Sequence, residues 1–320
     1  MISVAPRRLR AILLWLATTA FLVFLLAWTP PARRVLHKSE QNPQFDTDQP
    51  PDSEIAIPKS IWQIFYPPRG TTIIKEGYLH SNDWIEMAPG YTYTLVGTLE
   101  AETFLAEHFS HRPEIAATYH ALNNFGSRSD FLRYLILYVY GGIYSDIDTK
   151  PIVPLNAWLP PQRRRDVHLL VALEHDEVVD SQPEDFVYPV QFCQWTIAAA
   201  PNHTVFARMI DRMLVSLHDV AKRQGTPLDR AKFRDFDVVN TTGPVAWTEV
   251  VLGVLQDMNE GFDSYGDLVN TKTTRYFGDV AVLPLSGFRA EWYDEWGLSW
   301  EKERRPLVRH FFKGGWKKEA

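Results

Sequence analysis

One cysteine, Cys193, stands among 320 residues, so no disulfide can close within the chain and the fold does not rest on oxidised staples in any compartment. Positive charge is also scarce: 33 Lys and Arg against 39 Asp and Glu give a net −6. Residues 1–38 hold six of those cations and no acid, which leaves 27 basic against 39 acidic residues, a net −12, in the remainder. A field of that sign repels phosphodiester backbones and argues against nucleic acid as a partner. Long apolar runs are missing too, with one exception at residues 11–28. What the chain has in quantity is apolar and aromatic material, 45% hydrophobic residues and eleven Trp. That is ample for the core of one large domain or two small ones. Clustered aromatics are common around carbohydrate, although most Trp in any domain simply pack.

The run 11–28 is uncharged, and as a helix its eighteen residues would span roughly 27 Å, enough for a thin bilayer. Arg7, Arg8 and Arg10 precede it and Arg33, Arg34 and Lys38 follow, so flanking charge alone does not orient it. The short leader favours a signal-anchor, with residues 1–10 cytosolic, 11–28 in the membrane and the bulk of the chain lumenal. A cleaved signal peptide is the rival reading. Residues 29–56 read as a stem, its second half rich in Gln, Asp and Pro, and 57–320 as the folded domain.

The domain is organised around residues 128–148. Ser129 is a candidate N-cap for a helix running to Tyr140, and Gly141-Gly142 stops the helix and turns the chain. That helix is apolar nearly all round, which predicts burial, yet it carries Asp130 and Arg133 three positions apart on one face. Buried charges are costly unless paired or used by a ligand, and both readings fit these two. Residues 143–148 alternate; as a strand they would place Tyr144, Asp146 and Asp148 on one face, the two carboxylates at its carboxyl end. That is where open α/β sheets build ligand sites. Asp-x-Asp alone means little, since it recurs at 46–48 and 235–237; only 146–148 follows a buried helix, a Gly-Gly turn and a strand.

The stretch 128–155 resembles glycosyltransferase family 32, whose members share an Asp-x-x-Arg-Tyr helix, a Gly-Gly-Ile-Tyr turn and an Asp-x-Asp metal motif. The resemblance implies an α/β GT-A (Rossmann-like) domain with a mostly parallel central sheet, a sugar nucleotide donor, Mn²⁺ and retention at the anomeric carbon. Strands alternating with helices along the chain point the same way. A first strand begins near Ile57, with Trp62 either packing or, by the resemblance, stacking on the donor base. Further elements are a strand at 91–96, a helix at 99–109 capped by Thr98, and a helix starting at Pro113.

Strand 168–173 ends in Glu174-His175-Asp176-Glu177, ordinarily just an acidic loop; the resemblance makes Glu174 and Asp176 acceptor contacts. Gln191-Phe192-Cys193-Gln194-Trp195 is similar to the fungal branch that starts the N-glycan outer chain with an α-1,6-linked mannose, and brings Gln194 and Trp195 to the acceptor side. Asn202-His203-Thr204 and Asn240-Thr241-Thr242 are glycosylation sequons that fit a lumenal domain. Thr242-Gly243-Pro244 reads as a helix start; in the family it faces the donor, where free N–H groups can meet anionic oxygens.

In the tail, His310 is by itself an ordinary histidine in an aromatic run. With the two aspartates it completes a set that suits Mn²⁺, and the resemblance makes it the third protein ligand. Trp316 would fold over the donor, Gly315 stands where the family has Ser, and Lys313 faces either the diphosphate or solvent. Taken together, the resemblance implies a single-pass type II Golgi membrane enzyme moving mannose from GDP-mannose to an N-glycan mannose. Asp146, Asp148 and His310 would hold Mn²⁺, and Asp130 and Arg133 would hold sugar hydroxyls. No catalytic base is singled out, and oligomeric state is left open. Another acceptor, such as inositol phosphorylceramide, or a non-catalytic lectin or scaffold, are the alternatives.

Overall fold

The computed structural model describes residues 55–66, 80–176, 188–258, 261–290 and 306–313. All lie in the second of two units into which the chain divides, Gln49–Ala320. The apolar run 11–28, nearly all of the stem, Gly315 and Trp316 fall outside the described residues.

β1 (Ser60–Ile64) and β2 (Thr92–Val96) pair in parallel, and β1 pairs in parallel with β3 (Gly142–Ser145) on its other side. Between them lie α1 (Ser81–Glu86), α2 (Thr98–His108), α3 (Pro113–Ala121) and α4 (Phe125–Tyr140). The chain continues through β4 (Thr149–Pro151), β5 (Leu169–Asp176), β6 (Val190–Phe192), β7 (Thr196–Ala199) and α5 (Thr204–Arg223). It ends with α6 (Asp235–Thr241), α7 (Pro244–Met258), β8 (Arg275–Phe277), β9 (Val280–Leu283) and β10 (Val308–His310).

The main sheet has the order β2-β1-β3-β7-β5-β9-β8, with β6 beside β5. Strands β1, β2, β3, β5 and β9 share one direction, while β6, β7 and β8 run against them. The sheet is therefore mixed rather than mostly parallel. β6 and β7 follow one another with only Cys193–Trp195 between them. Both lie antiparallel to β5, as one returning segment broken in the middle.

Strand residues alternate between two cores. Leu169, Val171 and Leu173 face a core built with the helices, and Leu170 and Ala172 face the other. With both faces buried, the strands need the near-continuous apolar sequence they have. The segment Asp235–Met258 is apolar and long enough to cross a membrane, but 67% of its most apolar window is buried inside the fold, so it is core. Asp235 and Asp237 sit in the first turn of α6, where Asp237 accepts from the Arg234 N–H at 3.1 Å; this second Asp-x-Asp is a helix start. Asn240 lies within α6, its carboxamide bonded to Phe236 O, whereas Asn202 is exposed in a left-handed turn at φ 59°.

Candidate active site

The site gathers at the carboxyl end of β3, the end shared by four other strands. Its foundation is α4. The helix starts at Phe125, and Asn124, not Ser129, caps it by accepting from the Ser127 N–H at 2.9 Å. The helix ends at Gly141 with φ 62°, and Gly142 follows at φ 93°. Any Cβ on Gly142 would lie 2.5 Å from the Ser60 carbonyl oxygen, so the turn needs glycine for conformation and for room.

The strand stops at Ser145. Asp146 and Asp148 stand in the turn that follows, closed by bonds from the Thr149 N–H (3.1 Å) and hydroxyl (2.6 Å) to Asp146 O. The turn, not a strand's period of two, brings the carboxylates together. It also turns the chain out of the main sheet into β4, which pairs antiparallel with β10 in the register Thr149↔His310. Two strands 160 residues apart thereby deliver His310 to Asp148, Nε2 lying 3.2 Å from Oδ1. One ligand atom each from Asp146, Asp148 and His310 lies within 4.8 Å of the others. Two carboxylates and an imidazole are a donor set for a divalent ion such as manganese, and the residues fit one.

Asp130 and Arg133 are 5% and 3% exposed. Expected to hold sugar hydroxyls directly, they lie instead beneath the turn, committed to one another and to Asp146. Arg133 Nη2 is 2.8 Å from Asp130 and 3.1 Å from Asp146, its Nη1 donates to Gln194 O at 3.1 Å, and its guanidinium stacks over Tyr144 at 4.6 Å. Tyr144 donates to Asp146 at 2.6 Å. Burial pushes the Asp130 carboxyl up to about 6, with Arg133 pulling it down and Asp146 pushing it further up. Burial also works against the charge on Arg133, but Tyr144, Asp146 and Asp130 outweigh it and keep the guanidinium protonated. At Asp148 burial raises the pKa, yet the bonds from His310 and from the Lys313 N–H win and hold it below the ordinary value. The Lys313 N–H donates to Asp148 at 2.8 Å, and its Nζ lies 5.8 Å from the Phe311 ring.

Thr242 reaches the site, but the Thr242-Gly243-Pro244 segment is not an open anion cradle. Both N–H groups donate back to Val238 O, at 3.0 and 2.9 Å, and Pro244 has none to offer. The Thr242 hydroxyl instead donates to Asp130 at 2.9 Å. The Trp62 ring reaches back to the amino end of β3, stacked on Tyr140 at 5.3 Å, and its Nε1–H donates to Gly141 O at 2.9 Å.

The break at Cys193–Trp195 is what lets the sheet meet the site. Freed from β5, Gln194 O accepts from Arg133 and Trp195 O accepts from the Asp146 N–H at 2.8 Å. Across from it β5 shifts register at Glu174, whose carboxylate accepts from Trp195 Nε1 and from Gln191 Nε2, both at 3.0 Å. Bulges beside sites re-aim side chains in this way. Trp195, expected on the acceptor side, is only 4% exposed and packs its ring 4.5 Å from His310. Asp176 ends β5, buried, with its carbonyl accepting from the Asn270 N–H at 3.4 Å. Sequence reading passed over Gln63, whose amide donates to Asp146 O at 3.0 Å and accepts from Tyr93 at 2.8 Å. Gln63 is fully buried, and both ends of its amide are satisfied there.

The family described as "Glycosyltransferase sugar-binding region containing DXD motif" matches residues 78–165, which include α4, β3 and both aspartates. The chain is 31% identical over 269 residues to the initiation-specific alpha-1,6-mannosyltransferase of Schizosaccharomyces pombe, covering 82% of this chain and 64% of that one. It is 28% identical to the putative glycosyltransferase HOC1 of Saccharomyces cerevisiae, covering 75% and 60%, so it spans less than two thirds of either relative. Against the Candida albicans initiation-specific alpha-1,6-mannosyltransferase it is 24% identical, covering 87% and 76%. Among solved structures, the PaToxG glycosyltransferase aligns with 63% of this chain and 72% of its own at 19% identity and a TM-score of 0.43.

Proposed function

We propose that this chain, which over residues 78–165 matches the glycosyltransferase sugar-binding region containing a DXD motif, is a retaining mannosyltransferase of GT-A fold. It takes mannose from GDP-mannose and forms an α-1,6 link to a mannose of an N-glycan, working at the Golgi membrane with its catalytic domain in the lumen. The observation that carries the reading is the convergence of Asp146, Asp148 and His310 on one point at the sheet's carboxyl end. Those three would hold Mn²⁺, which when bound neutralises charge building on the departing nucleoside diphosphate. The remaining work belongs to the chain. Arg133 fixes the Asp146 carboxylate from below, Tyr144 fixes the same oxygen from the side, and Gln63 anchors the Asp146 carbonyl. Held this way, the ligand atoms keep their positions without reorganisation as charge develops, which is where electrostatic preorganisation acts.

The test is Mn²⁺-dependent thermal stabilisation of the purified chain by GDP, UDP, GDP-mannose and UDP-glucose, beside Asp148→Ala. A ligand that binds only the folded state raises its apparent stability by mass action. Stabilisation by the guanine compounds alone, lost in the variant, supports the donor; a uracil preference overturns it. Transfer to a mannose-terminated N-glycan, with the product cut by an α-1,6-specific mannosidase, then tests acceptor and linkage. Transfer to inositol phosphorylceramide alone would sink the N-glycan reading.

A further inference from the structure

Immediately after His310 the chain wraps Asp148: the Phe311 N–H donates to Asp148 O at 3.0 Å and the Lys313 N–H to its Oδ2 at 2.8 Å. To present both donors, the residue between them turns left-handed, with Phe312 at φ 48°. Glycine is the residue that adopts this conformation without strain; a bulky side chain there is an outlier, and such outliers persist where something else requires them. Packing does not require this ring. Phe311 is used for packing, stacked on His80 at 4.5 Å and covered by the Arg309 guanidinium at 4.8 Å. Phe312 is 60% exposed. Its ring centroid lies 4.0 Å from that of His310, tilted by 41°, and 6.3 Å from that of Trp195, and the rest of its surface is open.

We propose that Phe312 seats the acceptor, its open ring taking the C–H face of the pyranose that receives the transferred sugar. This deepens the transferase reading above and rests on it. Exposure favours acceptor over donor: Arg133 and Asp130 are buried and spent on Asp146, whereas Phe312 meets the triad at His310 and is open to solvent. A group entering last, from solvent, meets the exposed aromatic, while Trp195 beneath it is covered and can only support. A pyranose has a polar rim and an apolar face, and an exposed aromatic beside fixed polar groups suits both.

Two variants separate the seat from the turn. Phe312→Gly removes ring and strain together; Phe312→Trp keeps a ring. Mannobiose binding to the full chain, with Mn²⁺ and GDP present, is followed by tryptophan fluorescence, alongside thermal stability and the GDP-induced stabilisation. Phe312→Gly should weaken mannobiose binding about tenfold, the worth of one good contact, with stability equal to or above the parent and the GDP effect unchanged. Phe312→Trp should bind within about twofold of the parent. No mannobiose binding by the parent, equal binding by Phe312→Gly, or a matching loss of the GDP effect would overturn the seat. Failure of the transferase reading shows up elsewhere, as no stabilisation of the parent by any sugar nucleotide.

Discussion

Arg133→Met tests the charge arrangement under the site. The guanidinium is the buried cation bonded to both Asp130 and Asp146, and Met replaces its length without its charge. Removing one partner of a buried pair leaves the other uncompensated and typically costs about 3–5 kcal/mol. Linkage gives that cost a pH signature. Asp130 rises from 3.8 unfolded to about 6 folded, so the folded state binds the extra proton between those values. Stability is therefore lost as pH rises through that window, by about 3 kcal/mol in the parent. Without Arg133 the folded value climbs further, and the penalty keeps growing past the pH where the parent levels off. Urea denaturation from pH 4.5 to 8 should show the two proteins closest at pH 4.5 and diverging above about pH 6. Asp130→Asn/Arg133→Met removes the stranded charge while keeping an acceptor for the Thr242 hydroxyl, and should recover most of the loss at pH 8. A deficit that is flat across pH, or a double variant no better than the single, would refute the reasoning.

Three other changes probe the remaining supports. Gly142→Ala forces an L side chain to φ 93° and drives its Cβ against the Ser60 carbonyl, so a loss of about 2 kcal/mol or more is expected by denaturation; a neutral result would mean the β1–β3 junction can shift. Thr242→Val leaves one Asp130 oxygen without its hydroxyl, at a cost of about 1–3 kcal/mol that should shrink below pH 5 as Asp130 takes up its proton; an unchanged cost there would detach Thr242 from Asp130. His310→Ala should abolish Mn²⁺-dependent stabilisation by nucleotide while metal-free stability falls by less than about 2 kcal/mol, since β10 pairs with β4 outside the main sheet. Retained metal dependence would remove His310 from the ligand set.

The sequence makes some of this site legible and hides the rest for identifiable reasons. Asp130, Arg133, Asp146 and Asp148 sit within nineteen residues, so helix period, the Gly-Gly stop and the carboxylate spacing are local signals. Even there locality misled twice. A short alternating run fits strand and turn alike, so the pattern carries the strand past Ser145, and Ser129 has a cap residue's chemistry although Asn124 caps the helix. His310 reaches Asp148 only through the β4–β10 pairing, which no local pattern encodes; family resemblance supplied it. That Thr196–Ala199 lies as an antiparallel strand in mid-sheet depends on which strands flank it, and no local pattern says so. Gln63 and Phe312 are the residues pattern reading was least able to find. A polar residue in a strand and an aromatic in a tail acquire meaning only from what lies opposite.

What lies opposite also decides how tightly the triad holds its ion. Arg133 is shared, 2.8 Å from Asp130 and 3.1 Å from Asp146, so Asp130 draws cationic charge away from a metal ligand. Asp130→Asn ends that competition. Arg133 then neutralises Asp146 more fully, and the cluster loses one negative charge, both of which weaken attraction for a divalent ion. Coupling between charged groups sharing one partner runs about 0.5–3 kcal/mol, and about 1 kcal/mol corresponds to roughly fivefold in affinity. Mn²⁺ titration at pH 7.5, where Asp130 is ionised in the parent, should therefore show roughly fivefold weaker binding in Asp130→Asn although Asp130 is no ligand. Unchanged or tighter binding would mean that Arg133 serves the fold alone and leaves the metal site untouched.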